Sequence, residues 1–320
     1  MKHNFSIYDE RPIFTMLMGL PGSGKSTFAN EVVTADSLTS VVISSDSLRE
    51  ELFGDVNDQA HNTEVFEEMH KRAVAALKEG KDVFYDATNL SGKRRKAFLN
   101  SLNGLKNKVH KRIMVFATPV ELCIARNHRR ERKVPTEVIE RMYKSLTMPR
   151  YTEGWDSIVY WKDDSVSVSP DLYYVDSVDN DHDSHWHPRN IADHMDAVYD
   201  YVEKNCDERG LRCNTLLRAA KYHDVGKPYV KSRVNNRGEV DTESHYYNHE
   251  NVGAYILACC GESDYTVALV QYHMDIMREN YGKDDFDPRA TKAYKDFVDG
   301  YGEKMAECLV LINEADRRMA

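Results

Sequence analysis

Residues 13–27 read IFTMLMGLPGSGKST. Ile13 to Leu20 is an apolar run of strand length, and Ser26 to Thr34 carries helical spacing. Between them, Gly19, Pro21, Gly22, Ser23, Gly24, Lys25, Ser26 and Thr27 make a Walker A pattern in the required context, a loop after a strand that opens a helix. Its glycines let backbone N–H groups face phosphates, and the helix N-terminus adds a favourable field. Lys25 would bridge the β- and γ-phosphates and the Ser26 hydroxyl would reach Mg²⁺, so ATP or another nucleoside triphosphate with Mg²⁺ is expected.

The pattern repeats outward. Ser40–Ser45, Asp82–Ala87, His110–Thr118 and Asp156–Lys162 read as further buried strands, with helical spacing at 64–79, 94–102 and 119–127. Strand–helix alternation implies an α/β domain with a parallel sheet covered on both faces. Ligands of such sheets bind at the carboxyl edge. VVISSDSLRE places Asp46 there with Arg49 three residues on: a base for a hydroxyl proton and a holder of an acceptor phosphate, or a plain helix N-cap. Asp86, ending another strand, suits a group near Mg²⁺ or its water. Arg126 and Arg130 lie four apart in RNHRRERKVP, where they could neutralise charge on the γ-phosphoryl or simply extend a basic face.

Composition restricts the partners. The chain of 320 residues is 41% hydrophobic and 30% charged, the make-up of a globular protein of one large or two ordinary domains. No run is long enough for a membrane span, no signal core is visible, and six cysteines without a framework read as reduced thiols, so a cytoplasmic location (the host cytoplasm if phage-encoded) is expected. The net charge is −9, yet residues 91–150 hold 16 Lys/Arg against 4 Asp/Glu. That surplus beside a phosphate loop points to a polyanionic substrate.

These features resemble the phage-type polynucleotide 5′-kinases of the P-loop kinase group over Phe14 to Tyr160. The matching parts are the loop, SSDSLR, DATN and the lid stretch ARNHRRERKVPTEVIERMYKSL. The resemblance implies Asp46 as general base, Arg49 as acceptor-phosphate clamp, and Arg126 and Arg130 as lid arginines. Small-molecule kinases and zeta-toxin-like proteins share similar strands.

After Lys162 the pattern changes. An acidic connection near Trp161–Asp181 leads to six helical stretches, and we divide the chain at 1–165 and 166–320 with an all-α second domain. Eight of the 13 histidines fall between His182 and His273. His194, His223, His249 and His273 sit on separate helical stretches, with Asp224 beside His223 and Asp316 on the last. Imidazole plus carboxylate suits Mn²⁺, Fe, Ni²⁺, Co²⁺ or Zn²⁺. In AAKYHDVGKPYV (Ala219 to Val230), Gly226 and Pro228 are expected to end a helix. His182 reads as a surface residue, and His185 and His187 stay open between surface and site entrance.

The spacing resembles the HD phosphohydrolase superfamily, most strongly in HDVGKP followed by HENVGA. The resemblance implies that His194, His223, Asp224 and Asp316 hold a first metal. His249 and His273 complete a second site with Asp224 bridging, and Lys227 contacts a substrate phosphate. An Arg found in some relatives one turn past the last Asp is replaced here by Ala320, leaving Arg317 or Arg318 to substitute. Together the halves resemble RNA end-healing enzymes, which implies RNA or DNA ends as substrate, 5′-hydroxyl phosphorylation, opening of 2′,3′-cyclic phosphates, and an RNA ligase as functional partner. The alternative is a small-molecule or nucleoside kinase joined to an HD nucleotide hydrolase or sensor.

Overall fold

The computed structural model describes residues 11–35, 38–163, 167–174, 181–183, 189–280 and 287–319. The chain divides into two compact units, Met1–Asp163 and Asp164–Ala320.

The first unit alternates strand and helix: β1 (Ile13–Met18), α1 (Lys25–Ala35), β2 (Ser40–Ser44), α2 (Ser45–Phe53), α3 (Asn62–Lys78), β3 (Asp82–Asp86), α4 (Gly92–Ser101), β4 (His110–Ala117), α5 (Val120–His128), α6 (Thr136–Ser145) and β5 (Ser157–Lys162). The five strands form one sheet in the order β2-β3-β1-β4-β5, every pairing parallel. Its central strands are apolar on both faces because helices cover both. Leu17, Phe84, Met114 and Phe116 pack with Ala29 and Phe28 of α1 on one side. Phe14, Tyr85 and Phe98 stack on the other. Two helices lie beyond the sequence expectations. Ser44 caps α2, accepting from the Ser47 N–H at 3.5 Å, so Asp46 is in the first turn and is not the cap. In α6, Ile139 and Tyr143 are buried one turn apart.

Buried Arg95 ties the sheet's carboxyl edge together. It holds Glu153 by two bonds (2.7 and 2.8 Å) and donates to the carbonyls of Asn89 and Thr147. One cation of the basic stretch is thus structural, while Lys93, Arg94, Lys96, Arg129 and Lys133 remain exposed.

The second unit is helical: α7 (Asp171–Tyr174), α8 (Ile191–Asn205), α9 (Asn214–Tyr222), α10 (Lys227–Val230), α11 (His249–Cys259), α12 (Asp264–Asn280), α13 (Lys292–Tyr301) and α14 (Glu303–Met319). It is not purely α: β6 (Ser232–Val234) and β7 (Val240–His245) pair antiparallel. The central helix α11 is buried along its whole length, which explains its apolar sequence and weak amphipathicity. Around His223 the helix stops at Tyr222, before Gly226, and Pro228 sits in the first turn of α10, where its missing N–H has no helical partner to lose. Pro228 therefore starts a helical turn and does not end one. Among the described residues no helix is long and apolar enough to cross a membrane.

Candidate active sites

The first cleft, about 480 Å³, opens at the carboxyl edge of the sheet and is lined by Gly24, Lys25, Ser26, Thr27, Arg126 and Arg130 among others. The loop needs its glycines: Gly22 has φ +86°, and a Cβ there would stand 2.3 Å from the carbonyl oxygen of Cys123. The Lys25 ammonium curls back onto the loop, donating to the carbonyls of Gly19 (3.0 Å) and Leu20 (2.9 Å) and to Ser23 Oγ (3.2 Å). Burial pushes the Lys25 pKa down, with Asp86 opposing. β1 and β3 are adjacent with Leu17 opposite Asp86, so Ser26 donates to Asp86 Oδ2 at 2.6 Å. Burial pushes the Asp86 carboxyl up, countered by Lys25 and Ser26. These groups offer a triphosphate backbone N–H donors, an ammonium, and a hydroxyl–carboxylate pair suited to Mg²⁺ and its water. Pro21 and Thr27 belong to the same loop and helix start. In α5, Arg126 donates to Asp163 Oδ2 at 2.5 Å.

Asp46 stands on α2 beyond β2, its side chain 40% exposed. Arg49 reaches its Oδ1 at 3.3 Å and is otherwise occupied, Nε donating to the Asp58 carbonyl (2.8 Å) and Nη2 to Asn62 Oδ1 (2.6 Å). Arg132, from the segment between α5 and α6, forms an ion pair with Asp46 Oδ2. Sequence reasoning missed Arg132, one of four arginines within seven residues and not marked by spacing.

In the second unit, His194 (α8), His223, Asp224 and Asp316 (α14) place one ligand atom each within 4.8 Å of one another, and Asp224, His249 (α11) and His273 (α12) do the same. Asp224 joins the two groups through different oxygens. Its Oδ2 lies 3.2 Å from His223 Nε2 and 3.5 Å from His194 Nε2. Its Oδ1 lies 3.2 Å from His249 Nε2 and 3.6 Å from His273 Nε2. Asp316 Oδ1 is 3.0 Å from His194 Nε2.

The ring orientations test whether a cation fits. His223, His249 and His273 turn Nδ1 to the carbonyls of Ala220, Tyr246 and Val270 at 3.0, 2.7 and 2.6 Å. A carbonyl only accepts, so each Nδ1 carries a proton and each Nε2 is turned towards the carboxylates, where a neutral imidazole presents a lone pair. Yet Nε2 atoms face each other at 3.3 Å (His223 and His194) and 3.2 Å (His249 and His273). Lone pairs converging on carboxylates in a buried site are stabilised by cations, and backbone carbonyls fixing the distal nitrogen are the usual support of metal-binding imidazoles. Asp224 Oδ2 is also buried without a hydrogen-bond donor; Lys227 Nζ approaches to 2.6 Å but off the line a hydrogen bond needs. The donor set fits one or two divalent transition metals.

The charges agree with this. Burial opposes ionisation of Asp224, but Lys227 and His223 outweigh it and hold the carboxyl well below its usual range. Asp316 is held low too, the His194 hydrogen bond overcoming burial. Burial pushes His273 down.

A cleft of about 490 Å³ opens over this cluster, lined by Asp224, Lys227, Tyr246, His249, Asp316 and Arg317 among others. Arg317, and not Arg318, faces it; Arg318 pairs with Glu314 at 3.2 Å. His182 departs from its surface reading. It is 1% exposed, its Nδ1 donates to the Arg189 carbonyl at 2.7 Å, and its Nε2 lies 3.2 Å from Lys227 Nζ. No helical spacing marks it, because it lies before α8. His185 and His187 lie outside the described residues.

Residues 14–149 match the family model of the AAA domain, and residues 191–320 that of the HD domain. Over 171 residues the chain is 29% identical to transcription factor bHLH140 of Arabidopsis thaliana, covering 51% of this chain and 17% of that protein. It is 25% identical over 144 residues to L-seryl-tRNA(Sec) kinase of Methanococcus maripaludis, covering 44% of this chain and 55% of the relative. The chain therefore spans well under two thirds of either relative. A chain of the Pnkp1/Rnl/Hen1 RNA repair complex is similar at 27% identity and TM-score 0.36, over 41% of this chain and 43% of that one.

Proposed function

With a P-loop kinase domain of the AAA type joined to an HD domain in one enzyme, we propose that this chain heals broken nucleic-acid ends. In this reading the first unit transfers the γ-phosphoryl of ATP to a 5′-hydroxyl end, and the second hydrolyses a 2′,3′-cyclic phosphate at the opposite end, and in an extension the remaining 3′-monoester. RNA is the favoured substrate, and a ligase would act on the product.

The observation that carries the reading is the pairing of the two clefts in one chain with an exposed basic stretch beside the first. One cleft is shaped for a triphosphate and the other offers a His/Asp cluster for metal. In the kinase cleft, Lys25 holds the phosphates, Ser26 and Asp86 serve Mg²⁺, Arg126 and Arg130 meet charge on the moving phosphoryl, and Asp46 takes the hydroxyl proton. In the HD cleft, His194, His223, Asp224, His249, His273 and Asp316 hold metal, which when bound supplies activated water and charge for the leaving oxygen. Lys227 and Arg317 orient the substrate phosphate. Both halves handle phosphate esters, which a fusion of unrelated activities would not require.

The test offers RNA with labelled 5′-hydroxyl and 2′,3′-cyclic phosphate termini, supplying ATP–Mg²⁺ or a transition metal separately. Asp46→Ala should abolish 5′ labelling and spare 3′-end opening, and Asp224→Ala the reverse. Phosphorylation confined to nucleosides or sugars would sink the reading, as would a cyclic end that never opens with any of the five metals.

A further inference from the structure

The last helix has two working faces. On α14, Asp316 turns to the histidines. Val310, Asn313, Glu314, Arg317 and Arg318, at the i, i+3, i+4, i+7 and i+8 spacing of one helix face, line a second cleft of about 430 Å³. Arg209, after α8, and Arg289, before α13, close it from the other side. Arg317 alone lines both this cleft and the one over the metal cluster.

Two features suit this cleft to an anion. The first is charge. Four arginines line it against one acidic residue, Glu314. That carboxylate serves Arg209 at 2.9 Å and Arg318 at 3.2 Å, and it also accepts from the Tyr201 hydroxyl at 2.7 Å. Glu307 holds Arg289 by two bonds, at 2.6 and 2.9 Å. With both carboxylates counted, the arginines of the cleft remain in surplus. The second feature is Asn313. It stands in an apolar stretch of α14 after Leu311 and Ile312, is 1% exposed, and its Nδ2 has no acceptor among the described residues. A buried amide donor without an acceptor costs stability, and a ligand oxygen would remove that cost.

Guanidinium forks beside an unmatched amide donor are the chemistry that recognises a phosphate oxyanion. The position of Arg317 says which phosphate. An anion in this cleft lies one side chain away from the phosphate that opens at the metal cluster. On a strand ending in a 2′,3′-cyclic phosphate, the next phosphate is the phosphodiester on the 5′ side of the same nucleoside. We propose that the cleft holds this last internucleotide phosphodiester, with Arg209, Arg289 and Asn313 as donors and Arg317 between it and the reacting phosphate. This rests on the reading of the HD cleft as a hydrolase of cyclic ends. It makes that hydrolase selective for the ends of strands over cyclic mononucleotides.

The experiment uses the full chain with Mn²⁺ and three oligonucleotides ending in a 2′,3′-cyclic phosphate. One has phosphodiesters throughout, one an uncharged methylphosphonate at the last linkage, and one the same group several linkages further in. The wild-type protein should open the first better than the second by roughly 10- to 100-fold in kcat/KM, the range of a charge-assisted hydrogen-bonded pair. The third should behave like the first. Arg209→Gln combined with Arg289→Gln should shrink the preference to within about threefold, chiefly through KM for the diester. The dependence of log KM on log salt should flatten by about 0.7, the share of one phosphate contact on a single strand. Asn313→Asp keeps the side-chain shape and puts a negative charge among the arginines, so it should weaken the preference as well. Thermal melts establish that each variant is folded. A wild-type penalty that is the same wherever the methylphosphonate stands would overturn the assignment, as would an arginine variant that keeps the wild-type preference. Equal opening of all three substrates, with a melting temperature that rises in inorganic phosphate and no longer does so in Asn313→Asp, would mark a site for a free anion and overturn the strand assignment while the hydrolase reading stands. Opening of none of them, with Mn²⁺ or any other of the candidate metals, would overturn both.

Discussion

Gly226 packs so closely on α11 that a Cβ placed on it would stand 2.1 Å from the carbonyl oxygen of His249. No side chain fits there, so the glycine after the His-Asp pair sets how near α11 comes, and hence that His249 Nε2 reaches Asp224 Oδ1 at 3.2 Å. Gly226→Ala should force α11 outward, at a cost of about 1–3 kcal/mol. Metal content, measured on the purified protein, should fall, and cyclic-phosphate opening should drop by about tenfold or more. ATP-dependent labelling should hold, since the kinase cleft lies in the other unit. Retention of metal and hydrolysis by this variant would show that the contact does not position His249.

The Nε2 atoms of four imidazoles and the carboxylates of Asp224 and Asp316 converge on one buried site, so a bound cation should stabilise the fold. At free metal one hundred times the dissociation constant the expected gain is about 2.7 kcal/mol, read as a rise in the melting temperature of the HD unit. Asp224→Ala removes the carboxylate facing both groups and should abolish the rise for Mn²⁺, Ni²⁺, Co²⁺ and Zn²⁺ alike. An unchanged rise in that variant would place the metal elsewhere.

Much of this was legible in the sequence, for a physical reason. The phosphate loop, the strand–helix alternation and the helical stretches around the histidines are local patterns, and a parallel sheet puts the loop, Asp46 and Asp86 on one edge whatever the details. Periodicity placed the four histidines only on separate helical stretches; the six-residue set came from the resemblance to the HD pattern, and the packing of the helices brings it together. Arg132 and His182 were not legible, since each depends on where a loop without periodicity lands. The strand pair β6–β7 escaped because Ser232–Val234 is three residues long and Val240–His245 is mostly polar, without the apolar alternation that marks a strand. Proline closes many helices, so Pro228 reads as a stop in the sequence, whereas its place in the first turn of α10 depends on the tight turn before it.

His182 should matter to the HD cleft through Lys227. With its Nδ1 proton given to the Arg189 carbonyl, its Nε2 can accept from the Lys227 ammonium and so fix where that charge points. His182→Ala should raise KM for the cyclic phosphate by roughly fivefold, the worth of about 1 kcal/mol for one hydrogen bond, with a smaller effect on kcat. His182→Gln, whose Oε1 reaches the Nε2 position, should restore most of the loss. Equal losses in both variants would mark a packing role and no more.

The thiols provide a check on both cores that is independent of activity. Burial pushes Cys123, beneath the phosphate loop, and Cys308, inside α14, up to about 12. In the unfolded chain both titrate near 8.5. Raised folded values mean that their contribution to stability is intact below the unfolded pKa and is lost as pH rises from there towards 12. At pH 8 the two thiols stay protonated in the folded protein, whereas roughly a quarter of each is thiolate when unfolded. Iodoacetamide at pH 8 should therefore spare Cys123 and Cys308 in the native protein while modifying the more accessible Cys213 and Cys260. Addition of denaturant should bring all of them into reaction. Peptide mass spectrometry reads the pattern, and native alkylation of Cys123 at a rate near that of Cys260 would contradict the close packing of Cys123 against Gly22 on which the loop geometry depends.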